Sequence, residues 1–194
     1  IQSVKEKKSD IVISAGNTGA LLVISKLNLK MIKNIDKPAL SALWPNKINM
    51  SVVLDLGANI ECSPKNLIDF SIMGSSLFKS LYPDDTAKVA LLNIGSEELK
   101  GNEIIKETYQ QLNQRNNTGF EFKGYIEGNQ LMNGDVNVIV ADGFTGNVAL
   151  KTAEGTANFI TSELKKAMTG NIIGKISSLL NISNLKKFKA RLDP

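Results

Sequence analysis

Four times along the chain, an apolar, β-branched run stops at a loop of glycine and asparagine and gives way to residues with helical spacing. The runs are Ser9–Ser14, Ser51–Leu56, Lys88–Asn93 and Val136–Ala141, and the loops after them centre on Gly16, Gly57, Gly95 and Gly143. Parallel strands need a crossover, and a helix supplies it, so this alternation predicts a mostly parallel sheet with helices on both faces. The expected fold class is α/β, a three-layer α/β/α sandwich. Right-handed crossovers would bring all four loops to the carboxyl edge of the sheet, where open α/β folds bind ligands. The spacings between the four units are unequal, which excludes a solenoid repeat.

Intervening segments read consistently with that plan. Residues 21–31 carry apolar side chains at helical intervals. Ser63-Pro64 marks a helix start, followed by an apolar face of Leu67, Phe70, Ile72, Met73, Leu77 and Phe78 that runs to about Tyr82. A further helix is expected from Glu103 to Arg115, and a turn over Asn116–Gly119. Phe120–Ile126 alternates like an edge strand, and Asn133-Gly-Asp135 turns the chain into the last apolar run.

The sharpest junction is Asp142-Gly-Phe-Thr-Gly-Asn147, a buried strand running through a tight turn into a helix. First-turn N–H groups and the positive end of the helix dipole favour an anion there. An ordinary βα turn would look similar, but here Asn17, Asn59, Asn102 and Asn147 stand beside glycines in all four loops. Uncharged donors with bare backbone suit a phosphate or a carbonyl oxygen.

Several chemistries are excluded. There is no histidine, which removes every Ser-His or Cys-His nucleophile pair and makes a zinc site untenable. Cys62 is the single cysteine, so no internal disulfide forms. Residues 15–19 supply two glycines at a spacing unlike the dinucleotide fingerprint, and no Gly-Lys-Ser/Thr follows Gly101 as a phosphate-cradling loop requires. No cofactor and no metal are expected. No apolar run reaches the roughly 18 residues of a membrane span.

Four loop sequences occur together and in order: Ser14-Ala-Gly-Asn-Thr-Gly-Ala-Leu21, Leu54-Asp-Leu-Gly-Ala-Asn59, Leu92-Asn-Ile-Gly-Ser-Glu97 with Lys100-Gly-Asn-Glu103, and Asp142-Gly-Phe-Thr-Gly-Asn-Val148. Through them the chain, from about Ser9 to Leu192, resembles the PlsX-type phosphate acyltransferases of bacterial phospholipid synthesis. The family's Asp-Ala-Met-Gly-Gly-Asp opening and later Tyr-Gly-Gly-Ala segment have no match, so the chain is expected to correspond to the family's middle. The resemblance implies transfer of a fatty acyl group from acyl carrier protein to inorganic phosphate, a homodimer, and a fold related to phosphotransacetylases and isocitrate-type dehydrogenases; the alternatives are a catalytically incomplete piece that only dimerises or binds acyl carrier protein, and a related short-chain phosphotransacylase. It places a catalytic lysine at Lys100 and a catalytic asparagine at Asn147. The expected roles are phosphate orientation for Lys100 and hydrogen bonding to the carbonyl oxygen for Asn147. Ser14, Gly16, Asn17, Thr18, Asn59, Asn102, Glu103, Asp142, Gly143, Thr145 and Gly146 are the expected phosphate- and substrate-binding residues. Asp142 is also read as an anchor of its own turn.

The chain divides by charge. Residues 163–194 hold seven Lys/Arg and two Asp/Glu, a net of +5, whereas the whole chain is +4. The basicity is therefore local and does not point to nucleic acid. Residues 1–162 are expected as the α/β core and 163–194 as a basic amphipathic helical hairpin, broken by Gly170, Gly174 and Asn181–Asn184. Ile176, Leu179 and Leu180 share its apolar face, Leu185, Phe188 and Leu192 form a second stripe, and Lys175, Lys186, Lys187, Lys189 and Arg191 flank them. Such a face suits an anionic membrane surface, acyl carrier protein or a second copy of the chain, and it predicts a cytoplasmic, peripherally membrane-associated protein.

Overall fold

The structure is a computed structural model; the described residues are 1–115 and 119–192, without the side chains of 189, 191 and 192. Residues 116–118 of the turn expected at Asn116–Gly119, and the side chains of Lys189, Arg191 and Leu192, lie outside them.

Five strands form one sheet in the order β1-β2-β5-β3-β4. They are β1 (Ser41–Pro45), β2 (Met50–Leu54), β3 (Lys88–Asn93), β4 (Glu121–Glu127) and β5 (Val138–Val140). All pairings are parallel except β1 with β2, a hairpin that the loop-and-helix pattern did not announce. Its turn is closed by Asn46, whose Oδ1 accepts from the N–H of Ile48 and Asn49 at 2.8 and 2.6 Å. This is the Asx-type bonding that makes asparagine a turn residue. At the centre, β2, β5 and β3 are level at Leu54, Val140 and Leu91.

Alternation along these strands divides the core in two. Val52, Leu54, Val89, Leu91, Val138 and Val140 face one side, with Leu67, Phe70, Phe78, Ile105 and Leu112 from helices α3 (Pro64–Leu81) and α4 (Glu103–Asn113). Trp44, Val53, Ala90, Leu92, Ile139 and Ala141 face the other, covered by Ala149, Leu150 and Ala153 of α5 (Gly143–Thr169). The three layers are thus present. α3 begins at Ser63, whose hydroxyl and backbone exchange bonds with Asn66 in a capping box, with Pro64 in the first turn. It reaches the sheet closely because Gly74 has no side chain: a Cβ there would lie 2.7 Å from Val138 Cγ1 and 2.8 Å from Leu54 Cδ2.

One expectation fails near the start of the chain: residues 9–14 form no strand. The helix expected over 21–31 is present as α2 (Thr18–Leu29), although it buries none of its residues. Ile11 and Ile13 are exposed, with no ladder partner and no sheet face to cover. Only three of the four glycine loops therefore stand on strands of this sheet.

The end of the chain is an arm. α5 has 27 residues, about 40 Å at 1.5 Å per residue, and only its first turns touch the sheet. The expected boundary at residue 162 falls inside it. α6 (Ile172–Leu180) folds back along it, with Ser178 Oγ donating to Met168 O at 3.0 Å, and α7 (Ile182–Leu192) follows. Gly170 and Asn181 end helices as expected, but Gly174 lies within α6. A Cβ there would sit 2.6 Å from Met168 O, so that glycine permits a close helix contact rather than a break. No helix among the described residues is long and apolar enough to cross a membrane.

Candidate functional site

β2, β5 and β3 are parallel neighbours, so the loops after Leu54, Val140 and Asn93 leave the same edge of the sheet. Strands lie about 4.8 Å apart, which sets the outer two roughly 10 Å from each other across β5.

The β2 loop is built on Asp55, which is fully buried. Its Oδ1 accepts from the N–H groups of Leu40, Gly57 and Ala58 at 3.0, 3.1 and 2.9 Å. Its Oδ2 accepts from the Asn59 N–H and from Asn59 Nδ2, both at 2.8 Å. These bonds offset the cost of burying a carboxylate and fix the turn. Asn59 was expected to face substrate; instead its amide donates to Asp55 and, at 2.7 Å, to Pro38 O. Its side-chain N–H groups are used in holding the loop.

The α5 start is locked against that turn. Gly143 donates its N–H to Asn59 O at 2.8 Å. A Cβ on Gly143 would come within 2.6 Å of the same oxygen, and one on Gly146 within 1.9 Å of Asp55 O. Both glycines are needed for backbone-on-backbone contact, and neither opens a ligand path. Asp142 caps the helix as expected, accepting from Thr145 N–H and Thr145 Oγ1, each at 2.8 Å. Asn147, one turn further on, is exposed beside Gly57.

The β3 loop closes around Asn93, a residue the sequence pattern did not single out. Its Nδ2 donates to Gly95 O and Lys100 O, each at 3.1 Å. Gly101 has φ +95°, and a Cβ there would meet Asn93 Oδ1 at 2.5 Å. Lys100 is exposed, with no hydrogen-bond or ion-pair partner for its ammonium among the described residues. Asn102 then caps α4, accepting from Ile105 N–H at 2.9 Å. Glu103 points to solvent and pairs with Lys106 at 3.1 Å.

The starts of α3, α4 and α5 open onto one cleft of about 790 Å³, within the ~300–1,000 Å³ usual for small-molecule sites. Its walls include Ser63, Asn102, Thr145 and Asp142, with Ile60, Ile104 and Phe144 as apolar neighbours and Lys37 as its basic residue. The N–H groups of Ile104 and Phe144, second residues of α4 and α5, have no partner among the described residues. Lys37 Nζ donates to Glu61 O at 2.7 Å, which fixes it at the rim. Asp142 and Glu61 bring negative charge, so helix dipoles and Lys37 must outweigh them for an anion to bind. Cys62 lines the cleft, but it is only 6% exposed and burial pushes its thiol above the ordinary range. A buried, protonated thiol is not a nucleophile.

Lys100 and Asn147 flank this cleft without forming its wall: Lys100 lies two residues before Asn102, and Asn147 three after Phe144. Ser14, Gly16, Asn17 and Thr18 stand apart on an exposed segment, where Ser14 Oγ accepts from Gly16 and Asn17 caps α2. None of the four lines the cleft.

The model of one protein family, described as "Fatty acid synthesis protein", matches residues 1–194. The chain belongs to that family. Among its relatives is a protein named phosphate acyltransferase from Pelagibacter ubique (strain HTCC1062), 96% identical across the whole chain, which covers 58% of that protein. Proteins of the same name from Maricaulis maris (strain MCS10) and Alkaliphilus oremlandii (strain OhILAs) are 43% and 47% identical, with 55% and 57% of their length covered. The chain thus spans a little over half of these relatives in the fatty acid synthesis family. Among solved structures, a EutD phosphotransacetylase from Staphylococcus aureus superposes with a TM-score of 0.53 at 15% identity, over 76% of this chain and 49% of that one. At that identity the likeness concerns the fold.

Proposed function

We infer that this part of the family's chain carries the site at which a fatty acyl group passes from acyl carrier protein to inorganic phosphate. The observation that carries the reading is the meeting of three helix N-termini, unpaired amides and Lys37 around one cleft, in a chain whose relatives are named for phosphate acyl transfer. Phosphate is among the anions that helix N-termini bind. One of its oxygens attacks the thioester carbonyl carbon, and the carbonyl oxygen takes the electron pair as an oxyanion. The C–S bond then breaks, the thiolate leaves and is protonated, and acyl phosphate remains. No protein nucleophile takes part, in keeping with the protonated Cys62. Lys100 orients the phosphate from the loop beside Asn102, and Asn147 donates to the developing oxyanion from the first turns of α5.

The exposed apolar residues Ile172, Ile173, Ile176, Leu179 and Leu180 of α6, beside the lysines of α7, suit shallow contact with an anionic membrane surface. An amphiphilic product gives that contact a use. Vesicle flotation checks it: Ile176→Glu with Leu180→Glu abolishes flotation and leaves acyl transfer unchanged.

The enzyme to assay is a full-length hybrid, in which this chain replaces its 96% identical counterpart in the Pelagibacter relative. Given an acyl carrier protein thioester, it forms acyl phosphate only when phosphate is present. Lys100→Ala weakens phosphate use and turnover together, whereas Asn147→Ala lowers turnover by about a hundredfold to a thousandfold, as loss of one oxyanion donor does. Both variants running at the parent rate while folded would refute this site.

A further inference from the structure

Lys100 stands on a loop with little core of its own: residues 96–100 are all exposed. An orienting cation needs a fixed backbone, because a misplacement of about 1 Å costs up to a hundredfold in rate. Asn93, the last residue of β3, holds Gly95 O and Lys100 O and so fixes the two ends of the loop to the sheet, but it does not reach residues 96–99. Two side-chain bonds do. Ser96 Oγ donates to Glu127 Oε1 at the end of β4, at 2.8 Å. Tyr109, on α4, donates its hydroxyl to Glu98 Oε1, also at 2.8 Å.

The second tie is built into the fold. Tyr109 packs edge-on against Phe122 at 5.6 Å and tilted on Tyr125 at 4.8 Å. β4 has a register shift beside the ring, and Gly124, whose φ of +82° favours glycine, lies in ordinary contact with it: a Cβ there would be 3.4 Å from Tyr109 Cε2. The ring is thus held by α4 and β4 together, and its hydroxyl reaches the loop two residues before Lys100. Glu98 holds the Tyr109 phenol above its ordinary range through that hydrogen bond, so the donor stays protonated throughout the neutral region.

We propose that Tyr109 and Glu98 are positioning residues for the phosphate-orienting Lys100: the Tyr109–Glu98 bond latches the Lys100 loop to α4 and β4. The proposal rests on the role of Lys100 given above, and it predicts that the latch acts on phosphate and not on the acyl donor.

Steady-state kinetics of the full-length hybrid test it. Tyr109→Phe keeps the ring and its packing but loses the donor; Glu98→Ala loses the acceptor; Glu98→Gln keeps an acceptor oxygen. The first two are expected to lower kcat/KM for phosphate about tenfold to a hundredfold, with KM for the acyl donor unchanged, and Glu98→Gln restores most of the loss. In a Lys100→Ala background, Tyr109→Phe has no further effect. Wild-type kcat/KM for phosphate in Tyr109→Phe and Glu98→Ala, alongside a defective Lys100→Ala, would overturn the latch and leave the role of Lys100 standing. A Lys100→Ala enzyme with parent kinetics would instead remove the reading on which the latch depends. Equal losses for phosphate and acyl donor, or no rescue by Glu98→Gln, would reduce the pair to a fold contact and overturn the proposal.

Discussion

Gly146→Ala should be the most damaging glycine-to-alanine change among the described residues. At a helix position the change ought to help, since alanine is favoured over glycine by about 0.8–1.0 kcal/mol. Geometry opposes it: the new Cβ would lie 1.9 Å from Asp55 O, a backbone atom in a turn already held by five bonds to the Asp55 carboxylate. The oxygen cannot rotate away as a flexible side chain would, so α5 or the turn must move. Overpacking costs about 1–3 kcal/mol and sometimes more, and contact this close belongs at the top of that range. Subtracting the propensity gain leaves a net loss of about 2 kcal/mol, which for a chain of this size lowers Tm by about 4–8 °C. Gly155 supplies the control: it lies in the same helix with nothing within 4 Å of its would-be Cβ. There alanine should stabilise by about 0.4–1 kcal/mol, raising Tm by about 1–4 °C. Thermal and urea unfolding of the two variants beside the parent measure both. A Gly146→Ala chain as stable as the parent, or less affected than Gly155→Ala, would refute the claim that α5 is locked backbone-to-backbone against the Asp55 turn.

Ser63→Ala removes half of the α3 capping box and should cost about 0.5–2 kcal/mol, read as a fall in Tm with the same two-state unfolding. Tyr125→Phe should hold or raise Tm, because the Tyr125 hydroxyl is buried with no hydrogen-bond partner among the described residues. Alkylation of Cys62 by iodoacetamide should be slower in the folded chain than in the unfolded one at pH 8, since burial raises its pKa. The neutral thiol's contribution to stability is therefore complete below the unfolded-state pKa and is lost as pH rises through the folded-state value. Lys37→Gln should raise KM for phosphate about tenfold in the hybrid enzyme with Tm unchanged, if the rim lysine contributes one charge-assisted bond.

What the residues disclosed was the periodic part of the fold. β3 and the starts of α3, α4 and α5 stand where the apolar runs, Ser63-Pro64, the helix expected from Glu103 and the Asp142 turn placed them. These are local signals, since a cap or a β-branched run carries its structure with it. Residues 9–14 carried the same strand signal and formed none, because a strand needs a neighbour and propensity does not supply one. β1 was missed for the opposite reason: it owes its place to pairing with β2 and to the Asn46 turn, not to a helix after it. In the site, the glycines and asparagines marked the right loops, while their tasks depended on three-dimensional contacts. Gly143 and Gly146 serve backbone contact, and Asn59 binds Asp55 and Pro38. Lys37 reaches the cleft from a segment with no motif, and Asn93 and Asp55 stood within the quoted loop sequences without a role of their own. Only the tertiary structure shows each of them as the centre of a loop or the rim of a cleft.

The central claim is that phosphate binds where α3, α4 and α5 begin. Crystals of the full-length hybrid soaked in inorganic phosphate test this most directly. Tetrahedral density is expected in the cleft, within hydrogen-bond reach of the Ile104 and Phe144 amides and of the Asn102 side chain, with the Lys100 ammonium turned toward it. Phosphate bound elsewhere on the protein, with only water in this cleft, would contradict it.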